Sequence, residues 1–215
     1  ASAARSLRLS SSGTNSQIDL SSLVNFLDNS TWSAGWNSSF TVSSSGTILV
    51  PELQSIKEVY STLDGSGTLQ FNKLATATTS QFTVTQGSLS LPALTRLEQG
   101  ALTISGGATI SVPLLSNING SSLYVSGGQT LSLPAVTNYE GAGGSAPVFR
   151  ASGAGSVLDL SSLTNLDFSI AHATNMTIDA QTGGRIDLSR VTQMSDTVAS
   201  AARSLRLSSS GTNSQ

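Results

Sequence analysis

Apolar and polar residues alternate in short stretches along most of the chain, and the stretches return at regular intervals. In the segment LSLPAL, Leu89 and Leu91 flank a serine, and a proline follows directly. Such alternation predicts β-strands that have one buried and one exposed face. The first apolar residues of these strands are Ile18, Ile48, Leu69, Leu89, Ile110, Leu131, Leu158 and Ile186.

The spacing of these strands indicates how they are arranged. Successive starts are 20 or 21 residues apart in the middle of the chain and 27 to 30 residues apart elsewhere. In coils two to five a second alternating strand begins 13 residues after the first, as Leu102 follows Leu89. A repeat of this length predicts a solenoid whose parallel strands stack about 4.8 Å apart. The expected fold is all-β, a parallel β-helix (β-solenoid) with two strands in each coil.

Prolines and glycines mark the expected corners of each coil. The prolines that directly follow a first strand are Pro51, Pro92, Pro113 and Pro134. A missing N–H and a fixed φ suit such a corner. The glycines at the other corner are Gly46, Gly65, Gly87, Gly106, Gly127, Gly153, Gly183 and Gly211. We expect a positive φ at these glycines.

The two ends of the chain carry the same sequence. Residues 1–17, ASAARSLRLSSSGTNSQ, recur letter for letter as residues 199–215. The offset is 198 residues, and the coil intervals add up to this length when the next coil is taken to start at position 216. We interpret residues 1–215 as one solenoid segment, with eight coils per 198-residue unit, uncapped ends and the first 17 residues of the next unit. It is expected to be an excerpt of a longer tandem array.

Composition excludes several functions. Charged residues make up 10% of the chain and the formal net charge is −2, so the clustered Lys and Arg of a nucleic-acid-binding surface are missing. No apolar run approaches the roughly 20 residues of a membrane span. The chain has no cysteine. The single histidine, His172, has no nucleophile motif near it, and we predict no catalytic residues and no enzymatic activity.

The phrase LSLPALTRLEQGALTIS (residues 89–105) resembles the β-helical leucine-rich repeats of receptor L domains and of fungal cell-wall surface proteins. The resemblance covers coils two to five and implies a right-handed β-solenoid in an extracellular setting. The large tandem unit is similar to that of giant bacterial surface-fibre proteins and adhesin stalks.

Three aspartates form the main candidate for a metal site. Asp19, Asp159 and Asp187 follow the same apolar residue in their coils, so the stacked coils are expected to bring them into one outward row. Stacked carboxylates repel one another, and a bound Ca²⁺ would relieve the repulsion. The alternative is a solvated acidic row that Arg185 and Arg190 partly neutralise. We favour the second interpretation and predict no cofactor.

Two further surface features are candidates for contacts. Trp32 and Trp36 lie in the polar insertion DNSTWSAGWNSS, where they either pack on the flank of the solenoid or contact a glycan or a neighbouring fibre. The threonines at the outward position of the second strand are Thr41, Thr62, Thr83, Thr103 and Thr177. Threonine is common in exposed strands, so this file indicates a solvated face more than an ice-binding one.

The function expected from these patterns is structural. A single coil cannot bury its apolar row, so neighbouring coils must supply the stability. We predict a segment of a long extracellular or cell-surface fibre, stalk or sheath that binds further copies of itself head to tail. The residues expected to form the end-to-end contacts are Leu7, Leu9, Ile18, Leu20, Ile186, Leu188, Leu205 and Leu207. The alternatives are an adhesin or carbohydrate-binding module that uses Trp32 and Trp36, and a polysaccharide-acting β-helix enzyme.

Overall fold

A computed structural model describes residues 6–29, 37–143, 146–168, 175–197 and 204–215. Within these ranges the chain consists of short β-strands joined by turns, without a helix. The strands, numbered in chain order, are β1 (Arg8–Ser12), β2 (Gln17–Asp19), β3 (Asn25–Leu27), β4 (Ser38–Ser43), β5 (Thr47–Leu49), β6 (Ser55–Lys57), β7 (Val59–Leu63), β8 (Thr68–Gln70), β9 (Thr76–Thr78), β10 (Gln81–Val84), β11 (Ser88–Ser90), β12 (Arg96–Glu98), β13 (Ala101–Ile104), β14 (Thr109–Ser111), β15 (Ser122–Ser126), β16 (Thr130–Ser132), β17 (Asn138–Glu140), β18 (Val148–Ser152), β19 (Val157–Asp159), β20 (Asn165–Asp167), β21 (Asn175–Gln181), β22 (Arg185–Asp187), β23 (Gln193–Ser195) and β24 (Ser204–Ser210).

The strands form three faces, and all pairings between the described strands are parallel. The long sheet has nine strands in the order β1-β4-β7-β10-β13-β15-β18-β21-β24. The Pro-side face consists of the sheets β2-β5-β8, β11-β14 and β16-β19-β22. The third face consists of the sheets β3-β6-β9-β12 and β17-β20-β23. Successive strands within each sheet come from successive turns of the chain, which confirms the prediction of a parallel β-solenoid.

The prediction of two strands per coil is wrong, because most coils have three. The strands of the third face contain three residues, of which the central one is inward, as Phe26 is in β3. One buried residue between two polar ones gives too little alternation to identify a strand from sequence. The coil between β14 and β15 lacks this third strand and retains an isolated bridge between Arg96 and Asn117.

Apolar side chains from all three faces form one hydrophobic cluster. On the Pro-side face Leu89 lies beside Ile110 in register, as the repeat predicts. Aromatic residues pack against one another inside this core: the rings of Phe40 and Phe71 are 5.7 Å apart, and those of Tyr139 and Phe149 are 5.0 Å apart, both edge to face. Each fully buried apolar side chain contributes roughly 1.5–3 kcal/mol, so stability is spread along the stack.

The corner prolines and glycines have the predicted roles with one exception. In the proline turns a backbone bond spans the corner, as from Leu94 N to Leu91 O at 3.2 Å. Seven of the eight corner glycines have a positive φ, from 60° at Gly106 to 91° at Gly153. For Gly46 the prediction is wrong, because Ser44 and Ser45 adopt the positive φ values instead, 49° and 67°. A Cβ on Gly46 would lie 2.3 Å from the Ser11 carbonyl oxygen, so close packing requires glycine there.

Candidate functional site: the open ends of the coil stack

The long sheet begins and ends with the duplicated sequence. In register, Leu9 pairs with Phe40 at the start of the sheet and Ile178 pairs with Leu207 at its end. The inward row that joins them is Leu9, Phe40, Ser61, Phe82, Leu102, Leu123, Phe149, Ile178 and Leu207. Leu207 is the sequence copy of Leu9. The chain therefore returns to the same residue of its pattern after eight steps between neighbouring strands.

The two copies of the duplicated sequence also share their conformation. Gly13 and its copy Gly211 have φ values of 98° and 89°. Asn15 and its copy Asn213 have φ values of 64° and 60°. The letters RLSSS are β-strand in both places, as β1 and as part of β24. Described residues of the two segments thus adopt one structure at opposite ends of the stack.

This register corrects the alignment that the sequence predicts for the last coils. Alternation predicts Met176 and Ile178 as the inward pair that corresponds to the second strands of the earlier coils, and both are buried. The residues in line with Phe149 and Ala151 are, however, Ile178 and Ala180. Alternation also predicts Leu205/Leu207 and the identical Leu7/Leu9 as inward pairs of second strands, and these are likewise displaced by two residues. The pairs in line are Leu207/Ser209 and Leu9/Ser11. A shift by two residues keeps the same side chains inward, so alternation alone cannot detect it.

The first coil exposes apolar side chains at the end of the stack. An open depression of about 510 Å³ is lined there by Leu7, Leu9, Leu20, Leu23, Phe26 and Leu27. Leu7 is 57% exposed and Leu27 is 49% exposed. In the middle of the stack the positions equivalent to inward Leu9 are covered by the preceding coil and are fully buried, as at Leu102. Leu27, by contrast, is an outward residue of β3, and its neighbour Lys57 in the next coil is also partly exposed. The first coil therefore presents a cross-section of the core.

The opposite end presents a second cross-section. When coils are counted from their long-sheet strands, the first coil contains β1 to β3 and the eighth contains β21 to β23. An open depression of about 340 Å³ is lined by residues of this eighth coil and of β24, including Ile178, Ala180, Ile186, Leu188 and Leu207. Leu207 and Met194 are 49% and 47% exposed. Of the eight residues predicted to make end-to-end contacts, Leu9, Ile18, Leu20, Ile186, Leu188 and Leu205 are partly buried against the core. The structure thus places all eight at the two ends, and their role in stacking stays a prediction.

Residues 204–215 dock on the eighth coil through backbone and side-chain hydrogen bonds. β24 pairs with β21 over seven residues, from Asn175 to Gln181. The Gly183 N–H donates to the Ser214 hydroxyl oxygen at 2.9 Å. The Ile186 N–H donates to the Gln215 carbonyl at 2.9 Å, and the Gln215 N–H donates to the Gly184 carbonyl at 3.1 Å. The duplicated sequence therefore starts a ninth coil in the same parallel arrangement as the other eight.

The three predicted aspartates are only partly brought together. Asp159 and Asp187 are direct neighbours in the ladder between β19 and β22. Asp19 lies at the other end of the molecule, where it pairs with Leu49. The expected row of three is therefore not formed within one chain.

Hydrogen bonds from serines stabilise the charged form of Asp159 and Asp187. The Ser161 and Ser189 N–H groups each donate to a carboxylate two residues earlier, at 3.0 Å. Hydrogen bonds from Ser161 and then from Ser132 hold the pKa of Asp159 below its ordinary value, and bonds from Ser189 do the same for the pKa of Asp187. Arg185 also forms an ion pair with Asp187. Turn capping thus stabilises carboxylates that a metal would otherwise have to neutralise.

No group of three or more His, Cys, Asp or Glu side chains is placed to hold a metal ion within the described ranges. The Ca²⁺ interpretation therefore has no ligand set in this part of the chain. Trp32, Trp36 and His172 lie outside the described residues, so the predictions that concern them stay predictions.

The outward threonine file is four residues long. Thr41, Thr62, Thr83 and Thr103 pair in one row of the long sheet. Thr177 was assigned to this file but pairs with Val148 and Arg206, two residues away along the strand. The row itself continues through Tyr124, Arg150 and Asp179. The Arg150 guanidinium and the Asp179 carboxylate lie 3.6 Å apart, so the face changes from hydroxyl to charged along its length.

Buried serines connect neighbouring coils, and the sequence pattern did not single them out. The Ser121 hydroxyl accepts from the Gly100 N–H at 3.0 Å and donates to the Leu97 carbonyl at 2.9 Å. Ser38 is also fully buried and donates to the Asp28 carboxylate at 2.7 Å. Because the chain is rich in serine, the residue type alone does not indicate which serines are buried between coils. A serine two residues before the first inward residue of a long-sheet strand, as Ser121 is before Leu123, is the positional signal that identifies them.

No family model, curated protein or solved structure matches the chain. The resemblance to β-helical leucine-rich repeats and to surface-fibre proteins stays a prediction. In the portion of the chain that the structure covers, there is no helix of the length and apolarity that crossing a membrane requires.

Proposed function

We propose that the chain is a structural segment of a long extracellular or cell-surface fibre, stalk or sheath, built from β-solenoid units stacked end to end. The observation that carries the proposal is the inward row of the long sheet, which begins at Leu9 and ends at its sequence copy Leu207. A stack whose first and last strands have the same sequence can be extended by a further unit in the same register. Eight coils at about 4.8 Å give a repeat of roughly 38 Å per unit.

The ends of the stack support the same proposal. β1 and β24 are edge strands, and an edge strand presents unpaired N–H and C=O groups to another chain. Both ends also expose apolar side chains that are buried elsewhere in the stack. Hydrogen bonding and the burial of apolar surface therefore favour the same partner, a further coil of matching register. The outer faces carry few charges, which suits a scaffold more than a binding surface for charged ligands.

Electron microscopy and sedimentation of the 215-residue chain test the proposal, with one end variant and one control. We expect filaments with an axial repeat of roughly 38 Å from the unmodified chain. Leu207→Lys places a charge on the exposed end of the core and is expected to abolish the filaments. Leu114→Lys is the control, because Leu114 is similarly exposed, 54% against 49%, but lies on the flank in a proline turn.

Folded, monodisperse monomers of the unmodified chain at every concentration tested would contradict the proposal. Filaments that persist in Leu207→Lys and disappear in Leu114→Lys would also contradict it, because they would indicate a lateral contact. A glycan-binding screen of the same preparations examines the adhesin alternative independently of assembly.

A further inference from the structure

The contact between residues 204–215 and the eighth coil is also a template for the contact between two copies of the unit. These residues have the sequence of residues 6–17, and they lie on β21 and β22 in full parallel register. A second copy of the unit that placed its own residues 6–17 there would make the same hydrogen bonds. The structure therefore contains the first part of a joint between two identical units.

We propose that the eighth coil together with residues 204–215 is a docking site for residues 18–27 of a second copy of the unit. The inference rests on the proposed function and specifies its partner segment and register. In the joint, Ile18 of the second copy lies on Ile186 and Leu20 lies on Leu188. Further along the coil, Phe26 of the second copy covers Met194.

Two backbone hydrogen bonds determine the register. In the ladder between β2 and β5, Gln17 pairs with Thr47, and the Thr47 N–H donates to the carbonyl of the residue before Gln17 at 2.9 Å. The Ile186 N–H donates to the Gln215 carbonyl in the same way. The residue paired with Ile186 is therefore the one that follows Gln215 in the pattern, which is Ile18 of the next unit.

The spacing along the coil extends this register to the third face. Asp187 and Gln193 are six residues apart, and so are Asp19 and Asn25. Gln193 and Asn25 are the first residues of β23 and β3, so these two strands become neighbours in the joint. The Met194 side chain is 47% exposed in one chain. It becomes covered because Phe26 is the central, inward residue of β3.

When two 215-residue chains form the joint, residues 204–215 of one chain and residues 6–17 of the other compete for the same place in the stack. One of these two segments must therefore be displaced. Both copies also make bonds in the turn after the strand, from Thr47 to Ser11 and Ser16 in one and through Ser214 and Gln215 in the other. The copies differ in the strand itself, because β1 pairs with five residues of β4 and β24 pairs with seven residues of β21. Fewer pairs break when β1 leaves. The ninth coil is then a hybrid, with β24 from one chain and residues 18–27 from the other.

Engineered disulfides in the full 215-residue chain test this register. The natural sequence has no cysteine, so the double variant Asp19→Cys/Asp187→Cys has only the two introduced thiols. Within one chain these positions lie in the first and eighth coils, about 34 Å apart. In the joint they are direct neighbours at about 4.8 Å, which a disulfide bridges. Mild oxidation is expected to give a ladder of dimers, trimers and larger covalent oligomers.

The matched control is Asp19→Cys/Ser189→Cys, in which the second thiol lies two residues out of register. It is expected to give at least ten-fold less covalent oligomer beyond the dimer. Equal ladders from both variants would overturn the proposal. Asn25→Cys/Gln193→Cys examines the same register on the third face, and circular dichroism before oxidation shows that each variant is folded. The register is overturned if both in-register variants are folded and neither forms covalent dimers or larger oligomers.

Trypsin digestion of the linked oligomers identifies the segment that leaves. Cleavage after Arg8 is expected to rise several-fold over the unlinked chain, while cleavage after Arg206 stays unchanged. The opposite pattern would overturn the assignment of β1 as the released strand.

The outcomes separate this inference from the proposed function. Filaments without in-register cross-links would retain the fibre and overturn the joint. In-register cross-links that stop at closed dimers would retain the joint and contradict the fibre.

Discussion

Single side chains hold neighbouring coils together where backbone pairing stops. Ser121 lies at the corner before β15, where its hydroxyl satisfies the Gly100 N–H of the preceding coil and the Leu97 carbonyl. All three groups are in the buried interior of the corner. A buried polar group without a partner costs about 1–3 kcal/mol. The serine thus substitutes for a ladder hydrogen bond that the turning backbone does not make.

We therefore expect Ser121→Ala to lower the free energy of unfolding by about 1–3 kcal/mol, because it leaves two buried backbone groups unpaired. Urea denaturation followed by circular dichroism measures the change. Ser90→Ala is the matched control, since Ser90 is an exposed outward residue of β11. The interpretation fails if the two variants lose the same stability.

The carboxylate of Asp159 makes stability depend on pH. Hydrogen bonds from Ser161 and then from Ser132 hold its pKa below the ordinary value of 3.8. The unfolded chain therefore binds this proton more readily than the folded chain does. As pH falls below about 4, protonation increasingly favours unfolding. The stabilisation is complete above the ordinary pKa and disappears as pH falls through the lowered one.

Asp159→Asn removes this contribution. Between about pH 5 and pH 3 the variant is expected to lose less unfolding free energy than the unmodified chain, because it has one carboxylate fewer to protonate. Urea titrations at the two pH values provide the comparison. An identical loss in both proteins would show that Asp159 is not a source of the pH dependence.

At the scale of the strand, alternation predicted the elements that have two inward residues. Most strands of the long sheet follow this rule, as Phe82 and Val84 do in β10. On the Pro-side face the second buried residue lies directly after the strand, as Leu91 does after β11, so the alternation continues into the corner. The third face was missed because each of its strands has one inward residue, and in β9 that residue is Ala77. Alanine between two threonines carries no apolar signal, although it is fully buried.

The candidate site was predictable from the duplication and not from the alternation. Identical sequence at residues 1–17 and 199–215 already indicated two equivalent ends. The register at those ends does not follow from the sequence, because a two-residue shift preserves which side chains are inward. Leu7, for example, has the right parity but precedes β1 and is exposed. Turn capping of Asp159 by Ser161 likewise depends on a backbone geometry that residue types leave open.

For the whole molecule, the parallel ladders make each coil depend mainly on the two coils beside it. Strands of the long sheet pair only with the strand one coil before and one coil after, among the described residues. Stability in such a stack is approximately the sum of coil and interface contributions. Removal of one complete coil should therefore shorten the molecule without changing its architecture.

The deletion of residues 89–109 tests this property. Leu89 and Ile110 occupy equivalent positions in neighbouring strands, so joining Ser88 to Ile110 reconnects the Pro-side face in phase. The long sheet continues because Phe82 is then adjacent to Leu123, which replaces Leu102 in the same inward row. We expect a folded seven-coil protein with an unchanged far-ultraviolet spectrum. Its urea m-value should fall by roughly a tenth, in proportion to the surface exposed on unfolding.

The out-of-phase deletion of residues 89–98 is the control, because it removes about half as much sequence but joins a Pro-side strand position to a corner. It removes β11 and β12, so that β14 loses its partner β11 and β9 loses its partner β12, and the stack is interrupted at this coil. We expect this smaller deletion to abolish the cooperative urea transition, while the larger one retains it. If the larger deletion unfolds the chain and the smaller one does not, residue count rather than coil phase governs stability, and the stack is not a sum of interchangeable coils.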